Sequence, residues 1–305
     1  EDVWLLPQDC GIVGQVRLEG TTKPVDELLQ KHKLLAHDPK QAKEMADQMV
    51  KMLIDMADEV GNVRLEGLTV GVSEKMKDQF SVMIARGKYD RDAVKQMILS
   101  KSELKEELID GVVAIGEEGD DVRILMPSDE LLVLVFARNQ EAMPTKALVE
   151  ALRTGKGKLG QNQEMAALIK DTNTRAAIWS AVKMSDDYRV GLLRAFDTIQ
   201  MEGDRRGETL DLQIVGKGRD EAAVKAAVAE VQQGLAMFRN MAAQEGADPS
   251  AKMALEMIDS IKCEADGKKA MLKGRVPDGI MGMWFMVGGV RMAAPPPPPA
   301  DVVEE

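Results

Sequence analysis

The chain is poor in aromatic residues, with 3 Trp, 2 Tyr and 5 Phe among 305 residues. Surfaces that bind sugars or single-stranded nucleic acids rely on such side chains as stacking platforms. Basic residues are also outnumbered, because 40 Lys and Arg stand against 51 Asp and Glu, a net charge of −11. Nucleic acids and anionic membranes both need a basic face, so we expect neither as a partner.

Long apolar runs are absent as well. The longest, Ile280 to Val290, has 11 residues and three glycines, whereas about 18 consecutive apolar residues are needed to span a bilayer. We therefore expect no transmembrane segment. A hydrophobic content of 45% with 30% charged residues is typical of a folded protein.

Histidine and cysteine are too few to suggest a catalytic or metal site. His32 and His37 are five residues apart, which places them roughly 140° apart around a helix, so they cannot chelate a metal as an i,i+4 pair could. Cys10 and Cys263 allow a single disulfide; we interpret them as buried small side chains and keep the disulfide as the alternative. Asp9 and Glu264 beside them disfavour a reactive thiolate.

Motifs that carry chemistry are also missing. The sequence has no Gly-x-Ser-x-Gly elbow and no Walker phosphate loop. Gly155, Gly157 and Gly160 form a Gly-x-Gly-x-x-Gly pattern, but it follows a helical run instead of a strand, so we interpret it as a connection. Acidic pairs lack the spacing of a calcium loop and are typical of solvated turns. We predict no catalytic, cofactor-binding or metal-binding residues and no cofactor.

An internal repeat is the main positive feature of the sequence. Three segments recur in the same order, each alternating in hydrophobicity as strands and hairpins do. The first recurs as Ile12 to Leu18 and Ile178 to Met184, the second begins at Leu68 and Asp197, and the third begins at Glu107 and Glu256.

Hairpins make neighbouring strands antiparallel, so the repeat predicts an α+β fold. We expect two diverged copies of a module, each with a mainly antiparallel sheet and helices packed on one face. The predicted domains are residues 1–172, residues 173–292 and a Pro-rich tail at 293–305, close to the two domains that this length suggests.

Two long helices are predicted with one apolar side each. The first runs from Pro39 to about Val60 and the second from about Asp220 to Met241, with apolar residues recurring every three or four positions. The first carries Met45, Met49, Met52 and Met56, which we expect to pack on a sheet. The second carries a stripe along one face made of Val224, Val228, Val231, Leu235 and Phe238.

The end of the chain holds the candidate contact residues. The simplest interpretation of its apolar segment is a last helix or strand that covers the sheet; the alternative is a contact surface for a partner or another copy. An apolar pair in the tail could add a strand to a sheet edge. The residues are Met281, Met283, Trp284, Phe285, Met286, Val302 and Val303.

The sequence resembles a loose class of uncharacterised exported bacterial proteins. The resemblance is carried by Trp4-Leu5-Leu6-Pro7-Gln8-Asp9 and by Lys156-Gly157-Lys158-Leu159 with Asn162 and Ala166-Ala167-Leu168. It implies two α+β modules and an exported location, and it brings no catalytic residues with it. The chain starts at Glu1 and not at Met, as a mature exported form does, and as a piece of a longer chain does too.

These observations favour a non-enzymatic exported protein, periplasmic, cell-surface or extracellular, with the cytoplasm left open. It would act through protein contacts, as a structural or assembly subunit of the cell envelope or exterior, with other proteins or further copies of itself as partners. The alternatives are a small-ligand carrier or hydrolase with a site between the modules, and a cytosolic adaptor.

Overall fold

The structure is a computed structural model, and it describes residues 2–17, 64–75, 79–116, 121–137, 140–207, 209–244 and 249–277. Within these ranges the chain forms strands Cys10–Arg17 (β1), Arg64–Ser73 (β2), Phe80–Lys88 (β3), Glu106–Ile109 (β4), Val112–Ile115 (β5), Val122–Ser128 (β6), Leu131–Ala137 (β7), Ile178–Lys183 (β8), Thr198–Arg206 (β9), Thr209–Lys217 (β10), Lys262–Asp266 (β11) and Lys269–Pro277 (β12).

Several helices begin at a residue whose side chain caps the first turn. The Asp90 side chain accepts a hydrogen bond from the Ala93 amide, and the Asn162 side chain accepts one from the Met165 amide. The helices in the described ranges are Arg91–Lys101 (α1), Thr145–Thr154 (α2), Gln163–Lys170 (α3), Glu221–Gln244 (α4) and Pro249–Ser260 (α5), with short 3-10 helices that include Asp2–Leu5 and Leu159–Gln161.

All twelve strands belong to one antiparallel sheet, in the order β11-β12-β10-β9-β8-β1-β2-β3-β7-β6-β5-β4. The predicted α+β class with a mainly antiparallel sheet is therefore confirmed. The two predicted modules meet where β1 pairs with β8, so they share a single sheet.

One side of the sheet, called the front face here, carries the larger core. Val13, Ile84 and Leu125 point to this side, where α2 and α3 pack on them through side chains such as Leu148 and Met165. These five residues are at most 1% exposed. Burying side chains of this size is the main source of stability, about 1.5–3 kcal/mol each.

The opposite side, called the back face, is also covered by helices. There α1 packs on Ile124 and Met126, and α4 packs near Ala270. The expectation that the helices lie on one face is thus wrong in this respect. Hydrophobic alternation identifies which face of a strand is buried, but β6 and β7 are apolar on both faces, which is typical of strands covered twice.

The repeat is only partly reflected in the strand order. Counted outward from the β1–β8 pair, β1 corresponds to β8, and the β2–β3 hairpin corresponds to β9–β10. The third match fails, because β5–β6 lies one strand further out than β11–β12. In addition, Ile109 ends a strand, whereas the matching Ile258 lies in a helix. The duplication and the module boundaries therefore stay predictions.

Both edges of the sheet are short. At one edge β4 has four residues and begins with Glu106 and Glu107; at the other β11 has five and carries Lys262, Glu264 and Asp266. The Gln232 side chain of α4 donates to the Cys263 carbonyl of β11 at 2.8 Å. Short, charged and partly capped edges are typical of sheets that do not pair with other chains.

Several predicted features lie outside the described residues. These are the helix from Pro39 to Val60 with its methionines, the two histidines, and the whole of 278–305, which includes Met281, Met283, Trp284, Phe285, Met286, Val302 and Val303.

Candidate functional site

The two cysteines are free thiols in chemically quiet surroundings. Cys10 is fully buried in β1, and burial, with a smaller effect of Asp9, raises the pKa of its thiol far above the usual value. Cys263 is half-buried, and burial together with Glu264 raises its thiol pKa as well. A nucleophilic cysteine needs a lowered pKa, so neither thiol is set up for that chemistry.

The glycine pattern at Gly155, Gly157 and Gly160 closes α2 and meets the start of the chain. Gly155 ends α2 with φ of 70°, the left-handed conformation that favours glycine. At Gly157 a Cβ would lie 2.5 Å from the Leu5 carbonyl carbon, so a side chain cannot fit there. Gly155 thus ends the helix and Gly157 permits close backbone packing, which agrees with the interpretation of this stretch as a connection.

The residues that carry the sequence resemblance lie side by side. The Gly157 amide donates to the Trp4 carbonyl at 2.9 Å, and the Leu159 amide donates to the Leu6 carbonyl at 3.0 Å. The Asn162 side chain donates to the Gln8 carbonyl at 3.1 Å. The first segment thus forms part of the front-face core.

Beyond α3, the front face of the sheet becomes polar. Gln200, buried at 7% exposure, donates to the Leu168 carbonyl and to the Thr172 hydroxyl at the end of α3. Past this point, on β9, β10, β12 and β11, no helix among the described residues covers the front face. We call this uncovered area the open face.

The strand register arranges the open face in rows of side chains. Directly opposite residues of antiparallel strands point to the same side, about 5 Å apart between neighbouring strands. From one end to the other, the rows are Asp204, Asp211 and Arg275; Glu202, Gln213, Lys273 and Lys262; Gln200, Val215, Met271 and Glu264; Thr198, Lys217, Lys269 and Asp266.

Three of these directly opposite pairs carry like charges: Asp204 with Asp211, Lys217 with Lys269, and Lys262 with Lys273. Such pairs destabilise a sheet. Part of the cost is offset, since Asp211 lies 2.6 Å from Arg206 and 3.2 Å from Arg275, and Lys217 lies 4.0 Å from Asp171.

The pair of Lys262 and Lys273 is not offset in this way. Within the described part of the chain, neither ammonium group has a carboxylate within 4.0 Å, and both side chains are exposed. Stability alone therefore does not account for this pair.

A shallow depression lies where the open face meets the end of α3. Apart from Val215 its floor and walls are polar and charged, so it has little of the apolar lining that small-molecule sites usually show. The residues around it are Asp171, Gln200, Glu202, Gln213, Val215, Lys217 and Lys269.

An ion-pair network holds the β2, β8 and α3 ends together on the front face. The Lys183 ammonium lies 3.1 Å from Glu74 and 2.5 Å from Glu164. The hydrogen bond and charge of Lys183 lower the pKa of the Glu164 carboxyl, and the hydrogen bond to Glu164 raises the pKa of Lys183. The network stabilises the border of the helix layer and is not itself a reactive site.

Metal-binding clusters and membrane-spanning helices are both absent from the described residues. No group of three or more His, Cys, Asp or Glu side chains is placed to hold a metal ion there. None of the helices described is long and apolar enough to cross a membrane.

The open face was not predicted from the sequence. A signal was present, because Gln200, Glu202 and Asp204 alternate with Ile199 and Met201 along β9, the pattern of a strand with one solvated face. The predicted contact residues were placed instead at the end of the chain, outside the described part.

Comparison with known proteins gives similarity of fold only. No protein-family model and no curated protein sequence matches the chain. Among solved structures, crystal form III of TP0453 has a TM-score of 0.52 at 8% identity, covering 93% of this chain and 97% of that one. Crystal form I of TP0453 has a TM-score of 0.50 at 8% identity, covering 96% of this chain and 97% of that one. The protein is thus similar to TP0453 in fold along almost its whole length.

Proposed function

We propose that this is a non-enzymatic exported protein that acts through contacts with other proteins, as a structural or assembly subunit of the cell envelope or exterior. The observation that supports the proposal is the open face, a sheet surface four strands wide with patterned charge and no helix over it among the described residues.

Its charge pattern suits a protein partner. The unoffset lysine pair, Lys262 and Lys273, lies beside a row with partly exposed Met271. A partner that places a carboxylate near both lysines would relieve their repulsion and cover Met271 at the same time. Charge complementarity of this kind contributes mainly to specificity and association rate.

A small-ligand carrier or hydrolase is less well supported. The shallow depression takes Asp171 from the first predicted module and its other lining residues from the second, near where that alternative expects a site. However, its lining is polar, and both cysteine thiols have raised pKa values. A surface that is broad, polar and shallow resembles a protein interface more than a ligand pocket.

The exported location rests on the sequence resemblance. The segments that carry it are in direct contact around Gly157, so they form one structural unit of the fold. Sequencing the coding region upstream of Glu1 and fractionating the producing cells test the location, and a cytosolic product without a signal peptide would contradict it.

The contact function can be tested with a photo-crosslinking residue at Gln213, in the centre of the open face. We expect protein adducts in the cells that produce the chain. A matched probe at Lys146, an exposed residue of α2 that lies outside the open face, should give none. Equal labelling at both sites, or none at either, would count against the open face as a contact surface.

Self-association is separated from binding to another protein by the mass of the adduct. Light scattering of the purified chain, with and without residues 293–305, then shows whether the tail contributes. An unchanged mass after this deletion would remove the tail from the assembly.

A further inference from the structure

Helix α4 has apolar side chains on two different sides. One side packs on the sheet, where Val224 and Val228 are buried at 0% and 6% exposure beside Ala270. Met237 and Met241 on the other side, and Phe238 at the border of the packed side, are 55%, 43% and 49% exposed, respectively. We call these three residues the α4 stripe.

Met237 and Met241 face away from the side of α4 that packs on the described part of the chain, and Phe238 lies at the border between the two sides. Met237 follows Leu235 by two residues, which turns it roughly 160° away around the helix. Leu235 continues the packed side, and Arg239 on that side pairs with Asp259 of α5 at 2.6 Å. Three large apolar side chains grouped on one exposed surface are more than the isolated ones that ordinary surfaces show.

The chain leaves the sheet close to this helix pair. The Ser260 hydroxyl at the end of α5 accepts the Arg275 amide at 2.9 Å and donates to the Arg275 carbonyl at 3.2 Å. Strand β12 ends two residues later, at Pro277. A segment of seven residues beyond Pro277 reaches at most about 25 Å, which is enough to pass around a helix roughly 10 Å wide.

The residues within that reach are the most apolar of the sequence. Ile280 to Val290 is its longest apolar run, with Met281, Met283, Trp284, Phe285 and Met286 at its start. Methionine adapts to irregular apolar surfaces, and sulfur–aromatic contacts add to this. Methionines and an aromatic ring are therefore present on both sides of the contact.

We propose that the α4 stripe is the binding surface for the segment Met281–Met286 of the same chain. Attachment through a few residues gives the segment a local concentration in the millimolar range, which favours the same chain over a second copy. This inference does not depend on the proposed function, because the open face lies on the other side of the sheet. It leaves the open face, and not the apolar segment, as the surface available to a partner.

The fluorescence of Trp284 tests the contact. Its emission is obtained as the difference between the full chain and a Trp284→Phe variant, since Trp4 and Trp179 are common to both. We expect blue-shifted emission that is shielded from acrylamide. In the full chain with Met237→Gln, Phe238→Gln and Met241→Gln, the emission should shift to the red and the quenching constant should rise several-fold.

A matched control replaces two other exposed apolar residues, Val190→Gln and Leu193→Gln, which are 66% and 40% exposed. This control should leave Trp284 shielded. Far-UV circular dichroism and the emission of Trp179, which is 1% exposed, verify that each variant is folded.

Three results would overturn the proposal. Trp284 could be fully open to acrylamide in the unmodified chain. It could stay shielded in the triple variant, so that another surface covers it. Its shielding could also be lost on dilution, which would assign the contact to a second copy.

Discussion

At Gly157 the backbone passes so close to the first segment of the chain that no side chain fits. A Cβ there would lie 2.5 Å from the Leu5 carbonyl, and any movement would stretch the hydrogen bond from the Gly157 amide to Trp4. We therefore predict that Gly157→Ala lowers the free energy of unfolding by about 1–3 kcal/mol, measured by denaturant titration.

Gly160 provides the matched control, because a Cβ at that position meets nothing within 4 Å. Gly160→Ala should leave the free energy of unfolding almost unchanged. Equal effects of the two substitutions would mean that the first segment is not held against this turn.

Lys183 provides a prediction about pH. Lys183→Met should lower the free energy of unfolding at neutral pH, because it removes the partner of Glu164 and Glu74. The pKa of Glu164 is lowered in the folded protein, so its contribution is present above the pH where an ordinary Glu titrates and is lost as pH falls through the lowered value.

The pKa of Lys183 is raised by folding, so its own contribution is present below the ordinary lysine pKa and is lost only as pH rises through the raised value. The difference between the parent chain and Lys183→Met should thus be largest from neutral to mildly alkaline pH and should shrink in acid. Unfolding titrations across pH measure it, with Lys146→Met as control. A difference that persists unchanged in strong acid would contradict the ion-pair explanation.

At the scale of elements, the β4–β5 hairpin depends on its turn. Asp110 and Gly111 have φ of 48° and 86°, the positive values that a type I′ turn requires at both central positions. A Cβ at position 111 would meet no atom within 4 Å. Gly111→Ala should therefore lower the free energy of unfolding only through its backbone conformation, by about 1–2 kcal/mol. The same substitution at Gly234 inside α4, also free of contacts, should stabilise the protein by about 0.5–1 kcal/mol.

Denaturant titration of the two variants measures these opposite changes in the free energy of unfolding. A destabilising Gly234→Ala would indicate that something covers that side of α4 closely, and a neutral Gly111→Ala would mean that the hairpin tolerates another turn.

Local signals in the sequence are sufficient for most helices and hairpins. The start of α1 after Asp90 and that of α3 after Asn162 follow from capping side chains, and α4 was predicted within three residues of its observed end. The turn at Asp110-Gly111 also has a local signal, because Asp-Gly between apolar residues is a strong hairpin signal.

Strand order could not be obtained in the same way. It depends on which strands pair over long sequence distances, such as β3 with β7 and β10 with β12. The open face depends on this order too, since Lys262 and Lys273 become neighbours only when β11 and β12 pair in the observed register. No local pattern shows that two lysines will lie opposite one another.

At the scale of the whole molecule, the halves are joined through the sheet centre. β1 pairs with β8 along five residues, and the Trp179 indole donates to the Gln15 side chain at 3.2 Å. We predict one cooperative unfolding transition. Ile84→Ala in the first half and Leu210→Ala in the second should each cost about 2–5 kcal/mol and shift Trp179 fluorescence and far-UV circular dichroism together. Separate midpoints for the two signals would show that the modules unfold independently.

The short edge strands limit how the protein can grow into something larger. At β11 only Cys263 and Ala265 direct their backbone groups outward, and Gln232 already occupies the Cys263 carbonyl. An added strand would find few hydrogen bonds at this edge, and β4 with four residues offers hardly more. The sheet is therefore finite in its own plane. A partner that docks on the described part of the sheet would therefore meet its broad open face and would not extend it strand by strand.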